Sequence, residues 1–191
     1  MTRIPTHTLQ DAPEASRPIM EGIIAFSPTG KVLNLHAQLA HSPAVLAAYA
    51  AIRQATAEHG TLDPKVRSAL MLATAGVCHN GYTRDLTTLL GLRAGWSRQQ
   101  AAALLAGQSS GDSAIDALAG VVREAASRSG EVSDLAWQHA EASGWRSEQI
   151  AEAFAYLGLT VYTAYFLNYA CTPEDLPAGQ EPATAGAGAR G

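Results

Sequence analysis

Cysteine is scarce in this chain of 191 residues, which has only Cys78 and Cys171. Two thiols are too few for a disulfide scaffold or a four-thiolate metal site. Positive charge is also limited. Thirteen Lys and Arg face seventeen Asp and Glu, giving a formal net charge of −4. No basic run is long enough to track a phosphate backbone, so nucleic acid is not an expected partner. The six histidines, His7, His36, His41, His59, His79 and His139, are scattered along the chain. None has a second ligand at helical spacing, and no glycine-rich phosphate loop occurs, so neither a metal nor a cofactor is expected. Residues 1–7 lack the apolar stretch of a signal peptide, which makes the cytoplasm the expected location. Strands are missing as well, since no alternating β-branched run is bounded by turn signals.

What is present is apolar and helical. Hydrophobic residues make up 47% of the chain and charged residues 16%, enough apolar surface for one packed domain. Alanine, the strongest helix former, supplies roughly one residue in five. Start and stop signals divide the chain into helices. Ser42-Pro43 opens a run from Ala44 to His59 that Gly60 ends. Asp63-Pro64 opens another from Lys65 to about Cys78, and Gly81 to Ala94 follows. Ser97 with Gln100 three residues on forms a capping box for a short helix ending at Gly107. Ser113, Ser133 and Ser147 start three more, the last running to Cys171, where Thr172-Pro173 stops it. Residues 12–39 read as one or two short helices broken around Pro28-Thr29-Gly30.

The expected organisation is therefore an all-α domain over residues 16–176. An N-terminal extension over 1–15 lies over the surface, and a disordered Ala/Gly/Pro tail occupies 177–191. The last helix carries no charge from Ala153 to Cys171, a length able to span a bilayer. Tyr156, Tyr162, Tyr165 and Tyr169 recur along it, however, whereas a membrane helix concentrates tyrosine near its ends. It reads as a core or interface helix, with no membrane partner. A short likeness links Gly95-Trp96-Ser97-Arg98-Gln99-Gln100 to Gly144-Trp145-Arg146-Ser147-Glu148-Gln149. Convergent turn chemistry and a duplicated helical unit both account for it.

Several pieces resemble the carboxymuconolactone decarboxylase and alkylhydroperoxidase-D-like family. They are Leu62-Asp63-Pro64-Lys65-Val66-Arg67, Ala69-Leu70-Met71-Leu72-Ala73, Tyr82, Ala94-Gly95-Trp96-Ser97 and Ala101 to Leu104. Upstream, Asn34 and Leu39 to Leu46 agree, as does the end of the last helix from Tyr165-Phe166 to Thr172-Pro173. The resemblance implies an alkylhydroperoxidase-D-like helical fold that assembles as a homotrimer or hexamer. Redox members of that family carry a glutamate, a Cys-x-x-Cys pair twelve residues on, and a histidine four after the second cysteine. Anchored on Arg67 and Tyr82, this sequence has Ser68 for the glutamate, Asn80 and Thr83 for the cysteines, and Thr87 for the histidine. A second register aligns Cys78 with the first cysteine and leaves Gly81 and Asp85 in the other two places. In either one the resolving thiol is missing.

The altered site is the one feature with chemical content. Asn80, Thr83 and Thr87 share a helix face, which either lines a ligand pocket with Ser68 or fills the space of the lost thiols. Tyr82 is a candidate phenol donor, while His79 and Asp85 are candidate acids or bases. Cys78 is either a residual thiol nucleophile or a small buried apolar side chain. The expected function is acid–base chemistry of lyase, isomerase or cyclase type on a small organic acid or ring compound. A non-catalytic metabolite-binding or scaffold homologue is the alternative, and a hydroperoxidase using Cys78 a further one.

Overall fold

The computed structural model describes residues 2–25 and 31–176, and every regular element among them is helical. A 3-10 turn, Glu14–Ser16, leads into α1 (Arg17–Ala25). Then come α2 (Asn34–Leu39), α3 (Pro43–His59), α4 (Pro64–Ala75), α5 (Gly81–Arg93), α6 (Arg98–Ala106), α7 (Ser113–Ser127), α8 (Asp134–Ala142) and α9 (Ser147–Ala170). The proposed break around Pro28-Thr29-Gly30 and the tail at 177–191 lie outside the described residues.

The helix openings follow the expected chemistry with adjustments. Pro43 and Pro64 each sit at a first helical position, but the Ser42 and Asp63 side chains make no capping bond. Asp112, rather than Ser113, caps α7 by accepting from the Ala114 and Ile115 amides. Ser97 and Gln100 form the expected capping box of α6. The largest departure is at α4, which ends at Ala75 instead of reaching Cys78. A Cβ on Gly76 would lie 2.0 Å from the Leu105 carbonyl oxygen and 2.8 Å from Arg123 Nη1. The close approach of α6 and α7 at this point accompanies a turn over residues 76–79, where His79 adopts a left-handed φ of 48°.

α4 is the central element, packed on α5, α6, α7 and α9. Leu70 and Leu72 are fully buried within a cluster that includes Trp96, Leu118 and Tyr156. Each such leucine contributes about 1.5–3 kcal/mol through burial. A second cluster gathers Met20, Leu35, Leu46, Tyr49, Tyr82 and Leu159. Among the described residues α9 is long and apolar enough to cross a membrane by length and composition, yet half of that stretch is buried inside the fold.

The two glycine–tryptophan turns coincide in three dimensions. Trp96 Nε1 donates to the Lys65 carbonyl at 3.0 Å, and Trp145 Nε1 donates to the Ala114 carbonyl at 2.7 Å. The Trp96 amide reaches Gly91 O, and the Trp145 amide reaches Ala140 O. Gly95 and Gly144 have φ of 96° and 97°, a conformation that glycine adopts without strain. Gln100 Oε1 and Gln149 Oε1 accept the Ser97 and Arg146 amides in turn. Every pair is offset by 49 residues (65 to 114, 91 to 140, 96 to 145). Three coincident bonds and a matching glycine turn at one offset favour duplication of a helical unit, α4–α5 and α7–α8, over convergent turn chemistry.

Candidate functional site

The site is built where α4 hands over to α5. Asn80 caps α5 with extended backbone, its Oδ1 accepting from the Thr83 amide and the Thr83 hydroxyl, each at 2.8 Å. Its Nδ2 donates to Asn168 Oδ1 on α9 at 2.6 Å. The two positions that resemble the family's thiols are thus hydrogen-bonded to one another and to the long helix. Thr87, one turn on, donates to the Thr83 and Arg84 carbonyls. Ser68 belongs to a separate knot, where its hydroxyl donates to the Lys65 carbonyl and accepts from Trp96 Nε1 at 3.1 Å. The expected face of Asn80, Thr83 and Thr87 therefore exists, and Thr83 and Thr87 are both buried.

Tyr82 lies in the second core cluster, 2% exposed. Its hydroxyl donates to Asp175 Oδ1 at 2.5 Å. The other oxygen of Asp175 accepts the Asn34 amide at 2.7 Å, and Asn34 Nδ2 donates to the Pro173 carbonyl. Burial, followed by the bond to the Asp175 carboxylate, pushes the Tyr82 hydroxyl far above the ordinary phenol range. Tyr82 consequently stays protonated at neutral pH and serves as a hydrogen-bond donor, not a base.

The remaining candidates flank this arrangement. Cys78 is a free, half-buried thiol that burial pushes up in pKa, opposite to the direction that activates a peroxidatic cysteine. Cys171 is free and exposed at the end of α9. His79 and Asp85 are both exposed, on the turn before α5 and on its outer face. Among the described residues no three His, Cys, Asp or Glu side chains are grouped to hold a metal ion.

Three participants have no obvious signature in the sequence: Asp175, Asn168 and Gln38. Gln38 is almost fully buried, donates to the Ile4 carbonyl and accepts from the Thr172 hydroxyl. Their roles arise from chain segments more than 80 residues apart. The one available hint was Asn34, already among the residues of the family resemblance. A recess of about 200 Å³ lies elsewhere, between α4, α6 and α7 beside Ala73, Asp116 and Arg123, and none of the expected site residues lines it.

No curated protein is a significant match to this chain. Among solved structures, an uncharacterised peroxidase-related protein with an alkylhydroperoxidase AhpD core from Ralstonia eutropha JMP134 superposes with a TM-score of 0.80. It is 17% identical, and the match covers 91% of this chain and 92% of that one. The debrominase Bmp8, crystallised as a cysteine-to-alanine variant with 2,3,4-tribromopyrrole, gives a TM-score of 0.76 at 11% identity, covering 91% of each chain. A peroxidase-related protein from Silicibacter sp. TM1040 gives 0.70 at 13% identity, over 90% of this chain and 89% of that one. At such identities these likenesses establish the fold. Residues 43–127 match the model of the Carboxymuconolactone decarboxylase family, a segment that spans α3 to α7 and contains the whole α4–α5 site. The AhpD-like fold continues on both sides of that segment, over the rest of the described chain.

Proposed function

We propose that this protein is a redox-degenerate member of the carboxymuconolactone decarboxylase/AhpD-like superfamily. It performs acid–base chemistry, of lyase, isomerase or cyclase type, on a small organic acid or ring compound at the N-terminal end of α5. The observation that carries this reading is Tyr82, a buried phenol kept protonated at the position between the two lost thiols. A phenol so held donates a hydrogen bond from Oη to an anionic oxygen of the substrate and steadies the charge there. Asn80, Thr83 and Thr87 orient the substrate in this reading, without Ser68, which is engaged by Trp96. His79 and Asp85, exposed near the start of α5, are the groups that exchange the proton with solvent.

The raised pKa of Cys78 weighs against the thiol hydroperoxidase reading. A fold shared with a debrominase crystallised with 2,3,4-tribromopyrrole supports a flat ring as ligand. Tyr82→Phe is expected to lower turnover of an unsaturated lactone acid at least about a hundredfold. Full activity in both Tyr82→Phe and His79→Ala would remove these roles.

The internal bonding of Ser68, Thr83 and Thr87 favours one second reading, a non-catalytic binder. That reading predicts thermal stabilisation by a ligand that is recovered unchanged. In either case the protein is a cytoplasmic homotrimer or hexamer, associated through α9. Phe154, Tyr165 and Tyr169 stand 64–70% exposed on one stripe of that helix, within its charge-free stretch.

A further inference from the structure

The Tyr82 hydroxyl is already bound to a carboxylate, and that carboxylate belongs to the chain itself. Beyond the left-handed cap at Cys171, residues 172–176 run without regular structure across α2 and the start of α5. Polar contacts hold most of this segment. Thr172 donates to Gln38, Pro173 accepts from Asn34, and Asp175 takes the Tyr82 hydroxyl on one oxygen and the Asn34 amide on the other. Glu174 Oε1 lies 3.0 Å from where a Cβ on Gly81 would stand, and Leu176 packs on the second cluster. Asp175 is exposed while its partner Tyr82 is buried, so the segment forms the outermost layer over the phenol. Close by, on the first turns of α2, the Leu35 amide also reaches the Tyr82 hydroxyl.

We propose that the segment 172–176 is a displaceable strap, and that its Asp175 carboxylate competes with an external carboxylate for Tyr82. This rests on the reading of Tyr82 as the substrate's hydrogen-bond donor and sharpens it. The acid group of the substrate takes the place of Asp175, and opening of the strap admits it. An internal competitor acts at a high effective concentration, so the wild-type protein binds a simple carboxylate weakly. Nothing covalent is needed, only the exchange of one carboxylate for another on the same phenol.

The test uses the full chain and benzoate as probe, with benzamide as the uncharged control, followed by calorimetric titration. Asp175→Ala is expected to bind benzoate at least about tenfold more tightly than wild type, because the competitor is gone. Benzamide should show no comparable gain, and Tyr82→Phe added to Asp175→Ala should abolish it. Asp175→Asn, nearly isosteric, serves as the second variant and should show the same direction. Equal benzoate affinity in wild type and in folded Asp175→Ala overturns the proposal. So does loss of fold in both Asp175 variants, since the segment is then a structural tie and not a strap. Gain of benzoate binding without turnover of any lactone acid would sink the acid–base reading and leave the strap standing. Turnover without that gain would do the reverse.

Discussion

At the scale of single residues, the sharpest physical statement concerns His36. Its Nε2 lies 3.2 Å from the Tyr49 hydroxyl, while its Nδ1 is buried without a partner. Burial first, and the nearby Arg53 guanidinium second, lower its pKa to about 3 from the ordinary 6.5. The folded protein therefore holds fewer protons on this ring than the unfolded chain does between those two values. Its contribution to stability is complete above pH 6.5 and falls as pH drops toward 3, by about 1.4 kcal/mol per unit. Thermal melts from pH 7 to pH 4 should show a steeper loss in wild type than in His36→Phe. Identical slopes would mean that His36 does not titrate in this way. Tyr82→Phe, measured for stability alone, should cost about 1–2 kcal/mol, because it leaves Asp175 without its phenol donor on the surface of the second cluster. A urea midpoint unchanged from wild type would contradict the strength assigned to that contact.

Elements were more legible in the sequence than individual contacts. Glycine stops, proline at first helical positions and serine or aspartate openings place helices α3 to α9 to within a few residues, because these signals are local. The end of α4 was misread since its cause is not local. Gly76 faces the Leu105 carbonyl of α6, and only the packed structure shows that approach. Gly76→Ala should therefore be strongly destabilising, by about 2–4 kcal/mol, because the clash is with backbone that cannot rotate away. Wild-type stability in that variant would contradict the tight α4–α6 approach. The two tryptophans give a paired test of the duplicated unit. Trp96→Phe and Trp145→Phe each remove one indole donor, and each should cost about 1–2 kcal/mol. Trp96 should be the costlier, since it also donates to Ser68 and is more deeply buried. The site was legible only in part for the same reason. Asn80, Thr83 and Thr87 share one helix face by spacing alone, but Ser68 turned out to serve Trp96, and Asp175 came from the far end of the chain.

At the scale of the whole molecule, two features remain to be joined: an altered site and a long helix without charge beyond Glu152. α9 buries one side against α3, α4, α5 and α7 and exposes Phe154, Tyr165 and Tyr169 on the other. If that stripe is the self-association surface, Tyr165→Glu should yield a monomer in sedimentation, with a Tm that no longer rises with protein concentration. An unchanged oligomer would move the interface elsewhere. The site asks a simpler question, whether thiol chemistry has been lost from this fold. The direct measurement is dithiol-dependent consumption of an organic hydroperoxide by the purified protein, with Cys78→Ala assayed beside it. A half-buried thiol of raised pKa, outside any Cys-x-x-Cys pair, predicts no turnover in either protein. Turnover that disappears in Cys78→Ala would make Cys78 a working peroxidatic thiol and contradict the account.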